Sequence, residues 1–160
     1  MRLFYHQSVR AVQISVIGSG RENESSAEEV GRLLAGRGCT VVTGGRGEVM
    51  AAAARGAKKA GGRTVGILPG ERIDDANEWI DIAVATGIGH ARNLAVAASG
   101  QALIAVGGSW GTLTEIAFAR RLGRPVVVLE PGVPLDDETL IRASTPAEAV
   151  ELALAALEES

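Results

Sequence analysis

Six short apolar runs, separated by helix-forming segments, limit what this chain of 160 residues can fold into. They are VQISVI (12–17), TVVT (40–43), TVGIL (64–68), IDIAV (80–84), ALIAV (102–106) and PVVVL (125–129). Most are nearly all apolar and lack the polar alternation of a sheet wet on one face. Such strands are covered on both sides, as in a parallel sheet with helices on each face. Leu140–Ile141 is a seventh, weaker candidate.

The intervening segments carry helix punctuation. Ser25 and Ser26 each stand three residues before a glutamate, Glu28 and Glu29, which is capping-box spacing. Ala27, Val30 and Leu34 then form a helical stripe. Segment 47–60 is helix-favouring and ends at Gly61–Gly62, 90–99 ends at Gly100, and 111–123 ends before Pro125. In the last helix Thr145 is the N-cap, Pro146 the first position and Glu148 the closing acid. Ala147, Val150, Leu154 and Leu157 supply its buried face. Segment 69–79 reads as a loop, and residues 1–11 stay unassigned. The alternation predicts one α/β domain over residues 1–160. Its expected form is a Rossmann-like doubly wound, mostly parallel sheet of six to seven strands flanked by helices.

Composition narrows the function. The formal net charge is −3, and the five aromatics (Phe4, Tyr5, Trp79, Trp110, Phe118) are too few for a base-stacking platform. Nucleic acid is therefore not an expected partner. The single cysteine, Cys39, makes no internal disulfide and suits a reducing compartment. With two histidines and one cysteine, no protein-built metal site is expected. The chain has no long apolar run and its start lacks the apolar segment of a signal peptide, so no membrane partner and a cytoplasmic location are expected.

In doubly wound sheets ligands bind beyond the carboxyl ends of the strands. Four glycine-rich turns fall there: GSGREN (18–23), GGRGE (44–48), TGIGHARN (86–93) and GGSWGT (107–112). Glycine lets backbone N–H groups approach an anion, and the following helix start adds free donors and partial positive charge. The candidate ligand-binding residues are Gly18, Ser19, Gly44, Gly45, Arg46, Gly108, Ser109, Gly111 and Thr112. Tight strand-to-helix turns use glycine for geometry alone, so a single turn would say little; four on one edge say more. GSGREN lacks the third glycine of a dinucleotide fingerprint, and no Walker lysine is present. Arg21, Arg46 and Arg92 lie in or just after these turns, where a cation opposes the helix dipole unless an anion offsets it. Glu115, in the first turn of its helix, leans back toward the 107–112 turn. Trp110 is either a cover for a ligand ring or a hydrophobic contact.

These residues resemble the Lonely Guy (LOG) group, often labelled "possible lysine decarboxylase". Its PGGxGTxxE pattern maps onto Gly107 to Glu115, its arginine-bearing segment onto GHARN with Arg92, and its GGxxGxM turn onto Gly44 to Met50. The likeness spans roughly residues 12–130. It is nearest to a short bacterial branch that also resembles DprA/Smf and molybdenum-cofactor carrier proteins. The resemblance implies a nucleotide-binding homodimer. In active members it implies hydrolysis of the base–ribose bond of nucleoside 5′-monophosphates, with Glu115 and Arg92 catalytic and Gly108, Gly111 and Thr112 on the phosphate. The chain departs from the pattern at Gly107 (proline in the family), Ser109 (glycine), Asn93 (lysine in cytokinin-activating members) and Glu48 (glycine). Lys58 and Lys59 sit mid-helix away from the pocket edge, so pyridoxal-phosphate decarboxylation is set aside.

Three functions follow as expectations: a phosphoribohydrolase, a non-catalytic carrier or sensor of a phosphorylated cofactor such as molybdenum cofactor, or a dimer with a vestigial pocket. The bound molecule is expected to be a nucleotide, phosphate or molybdenum cofactor.

Overall fold

A computed structural model describes residues 10–129, 135 and 137–159. Residues 1–9, which belong to the unassigned 1–11 segment and hold Phe4 and Tyr5, lie outside it. The apolar runs form strands β1 (Gln13–Gly18), β2 (Thr40–Thr43), β3 (Arg63–Leu68), β4 (Ile82–Ala85), β5 (Ala102–Val106) and β6 (Val126–Leu129), and the weak candidate becomes β7 (Ile141–Ala143). They form one seven-stranded sheet in the order β4-β3-β2-β1-β5-β6-β7. Every pairing is parallel, so the expected "mostly parallel" sheet is wholly so among the described residues.

Helices α1 (Glu24–Gly36), α2 (Val49–Lys59), α3 (Arg92–Ser99), α4 (Trp110–Arg121) and α5 (Pro146–Glu158) cover the two faces. Ile14 and Val16 of β1 pack with Val30 and Leu34 of α1, Ala53 of α2 and Val150 of α5. Ile17 points to the opposite face, with Val96 of α3 and Ile116 of α4. The two cores are the physical reason the strand runs are apolar on both sides. The α1–α2 crossing is close because Gly31 and Gly56 face the other helix's backbone. A Cβ on Gly31 would fall 1.9 Å from the Ala53 carbonyl oxygen, and one on Gly56 1.9 Å from that of Glu28.

Three details differ from the sequence expectation. Helix α1 begins before Ser25 and Ser26, because a 3-10 turn over Arg21–Asn23 runs directly into it and places Asn23 at the cap. The serines therefore sit inside the helix and do not cap it. On α5, Thr145 Oγ1 accepts from the Glu148 amide at 3.1 Å as expected, but Ala147 is exposed. The buried face is set by Ala149, Val150 and Ala153, with Leu154 and Leu157 partly buried against it. The 69–79 loop contains a 3-10 turn, Ile73–Asp75.

β1 lies at the point where the winding reverses: β2, β3 and β4 follow on one side and β5, β6 and β7 on the other. A crevice at the carboxyl ends of β1 and β5 follows from that order alone.

Candidate functional site

A cavity of about 410 Å³ opens at that crevice. This lies within the ~300–1,000 Å³ range of small-molecule sites. Its walls include Gly18 and Ser19 after β1, Gly44, Gly47, Glu48 and Met50 after β2, His90, Arg92 and Asn93 around the start of α3, and Ser109, Gly111, Thr112 and Glu115 at the start of α4. Eight of the eleven residues expected from sequence thus share one cavity. The other three do not line it. Gly45 turns inward: its amide donates to Thr43 Oγ1 at 3.0 Å, and a Cβ there would meet Leu68 Cδ2 at 2.8 Å. Arg46 is exposed, with its carbonyl accepting from Asn77 Nδ2 at 2.7 Å. Gly108 is half-buried behind the turn. Trp110 is 87% exposed and also lies outside the cavity lining, so it covers no ligand ring in this conformation.

Two positions explain why these turns need glycine. Gly18 has φ +142, and a Cβ there would lie 1.9 Å from the Val106 carbonyl oxygen, so β1 and β5 close up only without a side chain. Gly44 makes way for Arg92: a Cβ would lie 1.9 Å from Nη1.

The Arg92 guanidinium donates from Nη1 to the Ile67 carbonyl oxygen at 3.2 Å, while its buried Nε has no partner. Burial lowers its pKa, the Glu115 carboxylate raises it, and the Arg46 charge lowers it. Glu115 is nine-tenths buried and makes no hydrogen bond or ion pair among the described residues. Burial pushes its carboxyl up to about 7, against the opposing pull of Arg92. Asn93, 8% exposed, likewise has no hydrogen bond to the described protein. Buried polar groups are normally satisfied. Arg92 Nε is the enclosed exception here, while Asn93 and Glu115 turn polar side chains onto the cavity, which gives it a polar wall.

Helix α4 supplies the anion-receptive end. Its first turn leaves amides without intrahelical partners, with the partial positive charge of the helix start behind them. Thr112 Oγ1 accepts from the Ser109 amide at 3.2 Å, which fixes the turn. On the opposite rim Glu48 has φ +53 and ψ −127, the only positive φ of a non-glycine residue described. Its carboxylate accepts from the Gly20 amide at 3.1 Å. It keeps a glycine-like backbone and bridges the first and second turns along the rim.

Sequence reasoning treated Asn93 only as a departure from a motif, carried Gly47 and Met50 only as members of the GGxxGxM turn, and did not single out His90. Asn93 had a legible signal, since it follows Arg92 in the first helical turn. Gly47 and Met50 had one too, as the third glycine and the methionine of the GGxxGxM turn; His90 had none beyond proximity to a glycine turn.

Fold and cavity together define a doubly wound α/β protein with a polar, anion-receptive cleft at the sheet's reversal point. The chain belongs to the SLOG cluster4 family, whose pattern matches residues 11–157. It is 43% identical over 145 residues to an uncharacterised protein of Archaeoglobus fulgidus, covering 89% of this chain and 94% of that one. The molybdenum cofactor binding protein of Rippkaea orientalis superposes with TM-score 0.85 at 35% identity, covering 94% of this chain and 99% of that one. The molybdenum cofactor carrier protein of Chlamydomonas reinhardtii does so with TM-score 0.84, also at 35% identity, covering 94% and 100%. DprA of Streptococcus pneumoniae, at 19% identity over 88% of this chain and 61% of its own, shares the fold alone (TM-score 0.69). The family established is thus the SLOG cluster4 family; the comparisons do not establish the Lonely Guy group itself.

Proposed function

We propose that this chain binds and carries a phosphorylated, pterin-type small molecule of the molybdenum-cofactor class, without transforming it. The observation that carries the reading is the cavity wall. Arg92 Nε is buried there without a protein partner, and the side chains of Asn93 and Glu115 line the same cavity beside the first turn of α4. The cargo's phosphate sits against that turn and the Arg92 guanidinium, with Gly18, Ser19, Gly44, Ser109, Gly111 and Thr112 around it. The donor set fits such a cargo, because a guanidinium and helix-start amides match a phosphate's oxygens. The two 35%-identical structures named for molybdenum cofactor binding and carriage support this reading over turnover.

The test is direct. Protein purified from cells that make the cofactor releases, on acid denaturation, a fluorescent pterin identifiable by mass spectrometry; Arg92→Ala protein releases little. A preparation that never holds a pterin, and whose melting temperature is unmoved by phosphate or nucleotides, overturns the reading.

One observation favours a second reading, the phosphoribohydrolase of the Lonely Guy resemblance. A carboxyl near pH 7 inside the cleft is poised for general acid–base work. In that case nucleoside 5′-monophosphates yield free base and ribose 5-phosphate, and Glu115→Ala abolishes the yield. A cytoplasmic homodimer is part of the proposal. Exposed Ile82 and Val84 on the edge strand β4 support self-association, and light scattering on the purified protein measures it. No nucleic-acid partner is proposed, given the net charge of −3.

A further inference from the structure

Glu115 lines the cavity with only 9% of its surface exposed, and it accepts no hydrogen bond from the described residues. An ionised carboxylate can only accept, so enclosure without a donor is costly for it. A neutral carboxylic acid has one O–H to give and needs only an acceptor. Arg92, the cation that acts on Glu115, is partly committed elsewhere. Its Nη1 donates to the Ile67 carbonyl oxygen at 3.2 Å and its Nε is enclosed, which leaves Nη2 as the open donor of the guanidinium. Little else ionisable faces Glu115. Helix α4 packs on α3, β1, β5 and β6, and the three strands contain no ionisable residue. Arg92 and His90 come from the start of α3, and Glu48, tied to the Gly20 amide, comes from the β2 turn. Arg46 adds a positive charge that acts on Arg92. Burial pushes the Glu115 carboxyl up to about 7, against the pull of Arg92.

An anion on the Arg92 guanidinium would meet a second negative charge if Glu115 were ionised. A neutral Glu115 offers the same anion a hydrogen bond. Resting on the reading of this cleft as an anion-binding carrier site, we propose that Glu115 holds the cargo as a neutral carboxylic acid, its O–H donating to an anionic oxygen seated on Arg92. The proton balance follows. In alkaline solution the free protein carries the carboxylate, so capture of the anion takes up one proton from the medium and release returns it. In acid the proton is already in place, and capture exchanges none. Glu115 is thereby both a cargo-binding residue and the group that couples cargo release to rising pH.

The experiment is isothermal titration of the full chain with sulfate, whose own charge is constant between pH 6 and 8.5, in buffers of differing ionisation heat. About one proton is expected to enter per sulfate bound at pH 8.5 and almost none at pH 6. Affinity is expected to fall roughly 30-fold across that interval, about tenfold for each pH unit above 7. Glu115→Gln, whose amide donates at every pH, binds without proton uptake and with an affinity that stays flat. His90→Gln keeps the uptake at pH 8.5, since an imidazole gains its charge toward acid. Loss of the uptake in His90→Gln but not in Glu115→Gln overturns the assignment to Glu115. Equal sulfate affinity at both pH values, with no proton exchanged, overturns the proton-coupled role while leaving the carrier reading standing. Failure of sulfate to bind at either pH overturns both.

Discussion

Removing the Glu115 charge isolates the clearest electrostatic feature of the cleft. Burial raises the carboxyl from 4.5 to about 7, so the folded protein holds a proton that the unfolded chain releases near 4.5. Stability contributed by this group is therefore fully present below pH 4.5 and declines as pH rises through about 7. At ~1.4 kcal/mol per pH unit, the difference between the two values amounts to on the order of 3 kcal/mol by pH 8. Glu115→Gln keeps the shape and removes the titration. The variant is thus expected to match the parent near pH 4.5 and to exceed it at pH 8 by up to ~3 kcal/mol. For a domain of this size each kcal/mol is roughly 2–4 °C in melting temperature. Thermal denaturation followed by circular dichroism from pH 4 to 9 measures the difference. A melting-temperature gap that is the same at every pH would falsify the claim that Glu115 titrates in the cleft. A gap that grows toward acid would reverse its sign.

Gly44→Ala places a methyl where Arg92 Nη1 and Met50 Sδ lie, so it should cost ~1–3 kcal/mol and abolish phosphate-dependent thermal stabilisation; a fully folded, phosphate-responsive variant contradicts this. Glu28, held down to about 2 by Arg55 and then Lys59, contributes stability that is present above 4.5 and lost as pH falls through about 2. Its side chain is 27% exposed, so each pair is worth only ~0.2–1 kcal/mol, and Glu28→Gln should narrow the acid–neutral stability difference by about that much in urea titrations. Thr145→Ala removes the α5 cap and should cost ~1 kcal/mol without touching ligand response, which urea denaturation with and without phosphate will show.

The sheet was legible because each strand is a short apolar run between glycine punctuation; even β7 grew from two candidate residues. Helix starts were less so. Ser25 and Ser26 carry the capping spacing, yet the chain was already turning at Arg21, and local signals cannot register a 3-10 entry set by the preceding Gly20. Ala147 fits the helical stripe of α5, but the buried face is centred on Ala149, Val150 and Ala153, which leaves Ala147 on the exposed side. At the site, strand-end position found most of the cavity wall. Gly45 and Arg46 lie outside the lining although Gly44, Gly47 and Glu48 of the same turn belong to it, because direction within a turn is not written in residue type. The role of Asn93 depends on the absence of a partner, which only three-dimensional packing decides.

The cleft straddles the seam between β1 and β5, whose first paired residues, Ile14 and Ala102, are 88 positions apart in the chain. Its walls come from both halves of the polypeptide, so no early or partial assembly possesses it. A guest seated there cross-braces the two halves and holds them in register. Binding at this seam therefore requires the completed fold, and an incompletely folded copy presents no such cleft.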